Sequence, residues 1–77
     1  MDEHAREERA RAARMLFAAN LRRLRRDRGL TQEGLSLESG LRQSYLSEIE
    51  AGKRNVSIDN IGVLAHALGV TIGRLFD

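Results

Sequence analysis

The apolar positions of this chain recur at helical spacing along most of its length. Ala10, Ala13, Phe17, Leu21 and Leu24 follow at intervals of 3, 4, 4 and 3, which is one face of a helix. That pattern predicts a long first helix over Asp2 to Arg28, whose first dozen residues lack apolar bulk. Glu7 with Arg11, and Asp2 with Arg6, stand four apart, the spacing of favourable exposed pairs. Thr31 is placed to cap a second helix over Gln32 to Ser39, with Glu33 near its positive end and Gly34 where a capping box would put an acid. A third helix is predicted over about Gln43 to Ala51, closed by Gly52 and followed by a polar loop, Lys53 to Val56. Ser57 caps a fourth, Ile58 to Leu68, whose Ile58, Ile61, Leu64, Ala65 and Leu68 again keep the helical interval. Gly69 followed by Val70 suits a Schellman ending. Thr71 caps a last short helix through Leu75 and Phe76. The expected fold is all-α, a compact arrangement of five helices around one core.

Composition narrows what such a bundle can do. Its 77 residues make one domain. Residues 1–14 read as a charged extension of the first helix and 15–77 as the domain proper. There is no cysteine and no proline. A disulfide framework, a thiol nucleophile and a Cys zinc site are therefore excluded. His4 and His66 alone do not make a metal site, and no metal or other cofactor is expected. No apolar run approaches the ~20 residues of a membrane span, and the charged start lacks a signal-peptide core. A cytoplasmic location without membrane or small-molecule partners is the expectation. No nucleophile elbow, paired catalytic carboxylates or phosphate-binding loop appears, so an enzyme is not expected. The net charge is only +2, yet twelve of the thirteen cations are Arg.

The informative segment is QEGLSLESGLRQSYLSEI, Gln32 to Ile49. Leu35, Leu41, Leu46 and Ile49 supply an apolar seam, Ser36 is small where two helices must approach, and Gly40 permits a positive-φ turn. Two short helices then cross steeply over a tight turn and leave the second protruding. Such a helix fits the major groove of duplex DNA. Its outward positions Arg42, Gln43, Ser44, Ser47 and Glu48 are chemically able to read base edges. Tyr45 suits a phosphate or a thymine methyl. Lys53, Arg54 and Asn55 suit the DNA backbone, as does Gln32 at a helix N-terminus.

The anchors GLTQ at 29–32, SGL at 39–41, SYLSEIEAGKRN at 44–55 and ALGV at 67–70 resemble the lambda-repressor-like helix-turn-helix family, the phage repressor and Cro group. The resemblance runs from about Leu21 to Phe76. Within that family, RN-V-S at 54–57 and the small size look closest to the controller proteins of restriction–modification systems. The resemblance implies a helix-turn-helix at the second and third helices. It also implies a homodimer acting on a near-palindromic double-stranded operator, and sequence-specific control of transcription. RNA polymerase is a further candidate partner. By position, Gln32 matches a phosphate-clamping glutamine, and Gln43, Ser44, Ser47 and Glu48 match the base-facing surface. Lys53 to Asn55 match a backbone-contacting loop, while Arg25 and Glu50 match an internal ion pair. Three departures stand out. Ser36 replaces the usual Ala, Gly34 stands where an acidic or other non-Gly residue is usual, and Arg42 occupies a place where a capping Ser, Thr or Asp is common.

Several residues admit a plainer role. The run RRLRRDR, Arg22 to Arg28, is either a phosphate surface, with Arg22 and Arg23 the candidates, or a solvated helix face. Ile72, Leu75 and Phe76, with Leu64 and Leu68, either form a dimer interface or close the protomer's core. Glu48 can read a base or pair with Arg42 or Lys53. A phage-type repressor, an antitoxin regulator, or a protein-interaction module of the same fold without operator binding are the alternatives.

Overall fold

Asp2 starts the first helix, its carboxylate accepting the Ala5 N–H at 2.8 Å. In the computed structural model, which describes Met1–Asp77, α1 runs Glu3–Asp27, α2 Gln32–Ser39, α3 Gln43–Glu50 and α4 Ile58–Leu68. A 3-10 helix, Ile72–Phe76, follows in place of the fifth α-helix predicted from the sequence. Thr71 precedes it but, contrary to expectation, makes no side-chain cap bond. The architecture is all-helical, with no strand.

Each α-helix begins as local chemistry dictates, with one exception. Thr31 accepts from Gly34 N–H and Ser57 from Asn60 N–H, each satisfying an orphan amide. Arg42 at the start of α3 makes no such bond. The endings share one device. Leu30 N–H reaches Arg25 C=O, Lys53 N–H reaches Glu48 C=O, and Val70 N–H reaches Ala65 C=O, the Schellman closure of α1, α3 and α4.

The core is aliphatic. Leu21, Leu35, Leu46, Ile49, Leu64, Leu68 and Leu75 are fully buried, each stabilising the fold by on the order of 1.5–3 kcal/mol. Phe17, Leu21 and Leu24 carry the predicted α1 face inward, whereas Ala13 is exposed and Ala10 only half-buried. The helix therefore outruns its own core, and the molecule is 40 Å long but only 24 and 20 Å across. Along the overhang, Glu7 pairs with Arg14 rather than Arg11, and Arg6 with Glu3 rather than Asp2, whose carboxylate is used as the cap. No helix is long and apolar enough to cross a membrane.

Two of the polar tethers at the end of α1 reach the C-terminal elements. Buried Asn20 donates to Leu75 C=O at 3.1 Å, anchoring the 3-10 helix. Arg28 donates to Ala67 C=O at the end of α4 and lies 3.5 Å from Glu38 of α2. Leu64, Leu68 and Leu75 are sealed inside the protomer, which corrects their candidacy as partner-facing residues. Ile72 and Phe76 stay half-exposed, and Phe76 rests against Phe17 with ring centroids 5.5 Å apart.

Candidate nucleic-acid interface

Gly40 ends α2 in the left-handed region, φ +76°, and turns the chain toward α3 within three residues. Two serines secure that turn. Ser36 Oγ donates to Leu41 C=O at 2.5 Å, and Ser39 Oγ accepts from Leu41 N–H at 3.1 Å. The residue that departs from the family's usual Ala thus ties α2 to the turn.

α3 is held by one side and bare on the other. Leu46, Ile49 and Glu50 are buried. At about 100° per residue, Ser44 and Glu48 point the opposite way, with Ser47 and Tyr45 on the flanks and Gln43 at the helix start. Gln43, Ser44 and Ser47 are exposed, and Arg42 is exposed at the helix entrance.

Glu50 is the fixing point. Arg25 Nε and Nη2 donate to its two carboxylate oxygens at 2.7 and 2.9 Å, a bidentate fork that is almost wholly buried. The remaining Arg25 nitrogen donates to Leu30 C=O at 2.8 Å. The hydrogen bond it donates to Glu50, opposed by burial, raises the Arg25 guanidinium above its ordinary pKa. Gln32 Nε2 also donates to Glu50, at 3.2 Å, so its side-chain amide faces inward rather than toward a phosphate. Arg22 reaches Glu50 C=O at 3.4 Å, which puts it at the C-terminal end of α3. Arg23 is turned to Asn20 Oδ1 at 3.1 Å.

The structure brings five of the sequence-derived candidates together. Arg42, Ser44, Tyr45, Glu48 and Arg54 line one open groove of about 400 Å³, floored by Gly40 and Leu41. Asn60 of α4 completes it, a residue that sequence reasoning missed. Its Nδ2 donates to the Tyr45 hydroxyl at 3.1 Å, and nothing in its sequence neighbourhood announces that reach across 15 positions. Glu48 is paired with Arg54 at 3.2 Å, not with Arg42 or Lys53. The Arg54 guanidinium lies 4.9 Å from the Tyr45 ring centroid, a cation–π geometry. Arg42 and Lys53 have no acidic partner in the protein. Exposed Asn55 borders, with Arg14, Arg54 and Val56, a second, smaller hollow against Ala13, Phe17, Ile61 and Phe76.

The loop carrying Lys53 to Asn55 is set by α1. Arg14 Nε donates to Gly52 C=O at 3.2 Å, and the Met15 thioether packs on Gly52, which is buried at φ +74°. A side chain there would meet both strain and the Met15 sulfur.

A protruding polar helix, two free cations and a third held in reserve form a surface suited to an anionic, hydrogen-bonding ligand of groove shape. The helix-turn-helix family profile matches residues 21–75. The HTH-type transcriptional regulator y4dJ of Sinorhizobium fredii is 48% identical over 58 residues, covering 75% of each chain. The crystal structure of the restriction–modification controller protein C.AhdI from Aeromonas hydrophila is similar at 46% identity and a TM-score of 0.82. That match covers 84% of this chain and 98% of the other. The controller protein C.Esp1396I, a tetramer in complex with its natural 35 base-pair operator, matches at 28% identity and a TM-score of 0.77, over 83% of this chain and 84% of its own.

Proposed function

The chain belongs to the helix-turn-helix family, and from that premise we propose that it is a sequence-specific DNA-binding regulator of transcription, not an enzyme, of the restriction–modification controller type. The observation that carries this reading is the bare face of α3. An eight-residue helix is fixed from behind by Leu46, Ile49 and the Arg25–Glu50 fork, and presents Arg42, Gln43, Ser44 and Ser47 with no competing bonds. On this reading α2 and α3 are the helix-turn-helix, α3 enters the major groove, and the terminal 3-10 helix stands as the fifth element of the fold. Residues 15–77 form the binding unit, and residues 1–14 are a largely solvated extension that Arg14 ties to the loop after α3.

Arg42 and Gln43 have the donor patterns for guanine and adenine edges, and Ser44 and Ser47 tolerate several bases. Lys53, Arg54, Tyr45 and the backbone N–H of Gln32 serve phosphates, with Asn60 holding Tyr45 in place. Arg22 and Arg23 are weaker candidates, since both are already engaged within the protein. The protein acts as a homodimer, as the operator-bound tetramer of C.Esp1396I supports. The remaining candidates for the contact are the half-exposed Ile72 and Phe76. Two copies of α3 would then enter successive major grooves about 34 Å apart. Bound at a promoter in the cytoplasm, such a dimer would either block RNA polymerase or touch it from a neighbouring site.

Selection of bound duplexes from a randomised pool at near-physiological salt tests the reading. Enrichment of a two-fold-symmetric site with half-sites about one helical turn apart is the expected result. A folded protein that enriches no sequence would overturn it.

A further inference from the structure

Arg54 is the one cation on the groove that is already occupied. Its Nη1 donates to Glu48 Oε1 at 3.2 Å while its guanidinium lies against Tyr45, whose hydroxyl is held in turn by Asn60. Glu48 sits on the outward face of α3, one turn beyond Ser44, where the helix would meet DNA. A carboxylate there offers Arg54 the same oxyanion that a backbone phosphate would offer. Arg54 and Glu48 side chains are 48% and 49% exposed, so water and salt screen the pair and a polyanion can displace it.

We propose that Glu48 is a specificity-determining gate: in the free protein it holds Arg54 as an internal stand-in for phosphate, and a duplex gains Arg54 only by displacing it. This rests on the DNA-binding reading above. The gate works by rejection. A duplex of arbitrary sequence leaves Arg54 on Glu48 and forgoes that phosphate contact, because taking Arg54 would strand the Glu48 carboxylate against DNA with no donor to meet it. A duplex that offers a base donor at that point, such as the cytosine N4 amine, gives Glu48 a partner and removes the penalty. Discrimination then comes from a charge that disfavours wrong sites, not only from contacts that favour the right one.

The test is Glu48→Gln, which keeps side-chain size and removes the charge at an exposed position. Affinity for the selected operator and for an unrelated duplex is measured across a salt series. One more phosphate contact per protomer, two in the dimer, should raise unrelated-duplex affinity about thirtyfold at 0.15 M salt and steepen the log K against log salt slope by about 1.8. Operator affinity should rise less, so the ratio between the two falls. Adding Arg54→Ala to Glu48→Gln should abolish the gain. If Glu48 serves only as a base reader, operator affinity falls while unrelated-duplex affinity and slope stay put, and the gate is overturned. A wild-type protein that discriminates operators, with a variant whose ratio is unchanged, also sinks the gate and spares the DNA-binding reading. A wild-type protein that binds no duplex sinks both.

Discussion

Replacing Glu50 by Ala should come close to unfolding the protein. Three donors converge on that carboxylate: Arg25 Nε at 2.7 Å, Arg25 Nη2 at 2.9 Å and Gln32 Nε2 at 3.2 Å. Its side chain is 4% exposed and that of Arg25 is 10%, so removal leaves a guanidinium charge in the interior with only Leu30 C=O for company. Breaking a buried pair from one side costs about 3–5 kcal/mol. A 77-residue chain has about 4–12 kcal/mol to lose. Each kcal/mol moves Tm by about 4–8 °C in a domain this small, so Glu50→Ala should melt at least roughly 12 °C below wild type. The cost belongs to the orphaned charge and not to the pair as such. The double variant Arg25→Met/Glu50→Leu should therefore be more stable than either single variant. Thermal and urea unfolding followed by circular dichroism read both effects. A Glu50→Ala protein within about 1 kcal/mol of wild type, or a double variant no better than the singles, would refute the reasoning. The raised Arg25 pKa sets the pH window. A cation with a raised folded-state pKa stabilises fully below its unfolded value and stops doing so as pH rises through the folded one. That window is strongly alkaline, so Arg25 adds no pH dependence to stability near neutrality.

Arg42→Ser should supply the missing α3 cap and stabilise the fold by about 1 kcal/mol, while lowering operator affinity. Unfolding and binding curves on one sample check both signs, and unchanged binding would remove Arg42 from the interface. Gly52→Ala should destabilise by at least about 1–2 kcal/mol through its positive φ. If the Met15 contact adds to that, Met15→Ala in the same chain recovers part of the loss, whereas no recovery assigns the whole effect to backbone strain. Ile72→Asp should shift the protein toward monomer in sedimentation equilibrium and reduce operator binding at low concentration; a variant that stays dimeric would exclude that residue from the contact. Wild-type operator affinity should fall with salt at a log–log slope near −7, the value for about four phosphates per protomer, and a slope above −3 would leave the loop cations without a role.

The helices were legible because their signals are local. Thr31 and Ser57 cap where an oxygen three residues ahead of an amide must, and Gly40 and Gly69 stop α2 and α4 at the residues the pattern predicts. The final segment was legible only as a short helix ending in Leu75 and Phe76, because its apolar residues fit the α and the 3-10 interval alike, and the cap expected of Thr71 is not made. The partner-facing role given to Leu64, Leu68 and Leu75 failed for a related reason. Periodicity shows that a face is apolar but not whether the same chain or another covers it. Pairing on α1 was misassigned because Arg14 lies half-buried beside the loop, where it serves Glu7 and Gly52 together. Asn20, Asn60 and the inward amide of Gln32 lay beyond the sequence, since each acts on a residue 15 or more positions away.

The separation of roles around α3 bears on how such a protein changes over generations. Everything that keeps the helix in place enters from its inner side, and Gln43, Ser44 and Ser47 owe nothing to the fold that carries them. Substitutions at these three positions are therefore nearly free in stability, so new operator preferences can be sampled by single steps without passing through unfolded intermediates. Glu50 and Arg25 have no such freedom, because neither can change alone. A lineage of these chains should diverge in what it reads long before it diverges in how it stands.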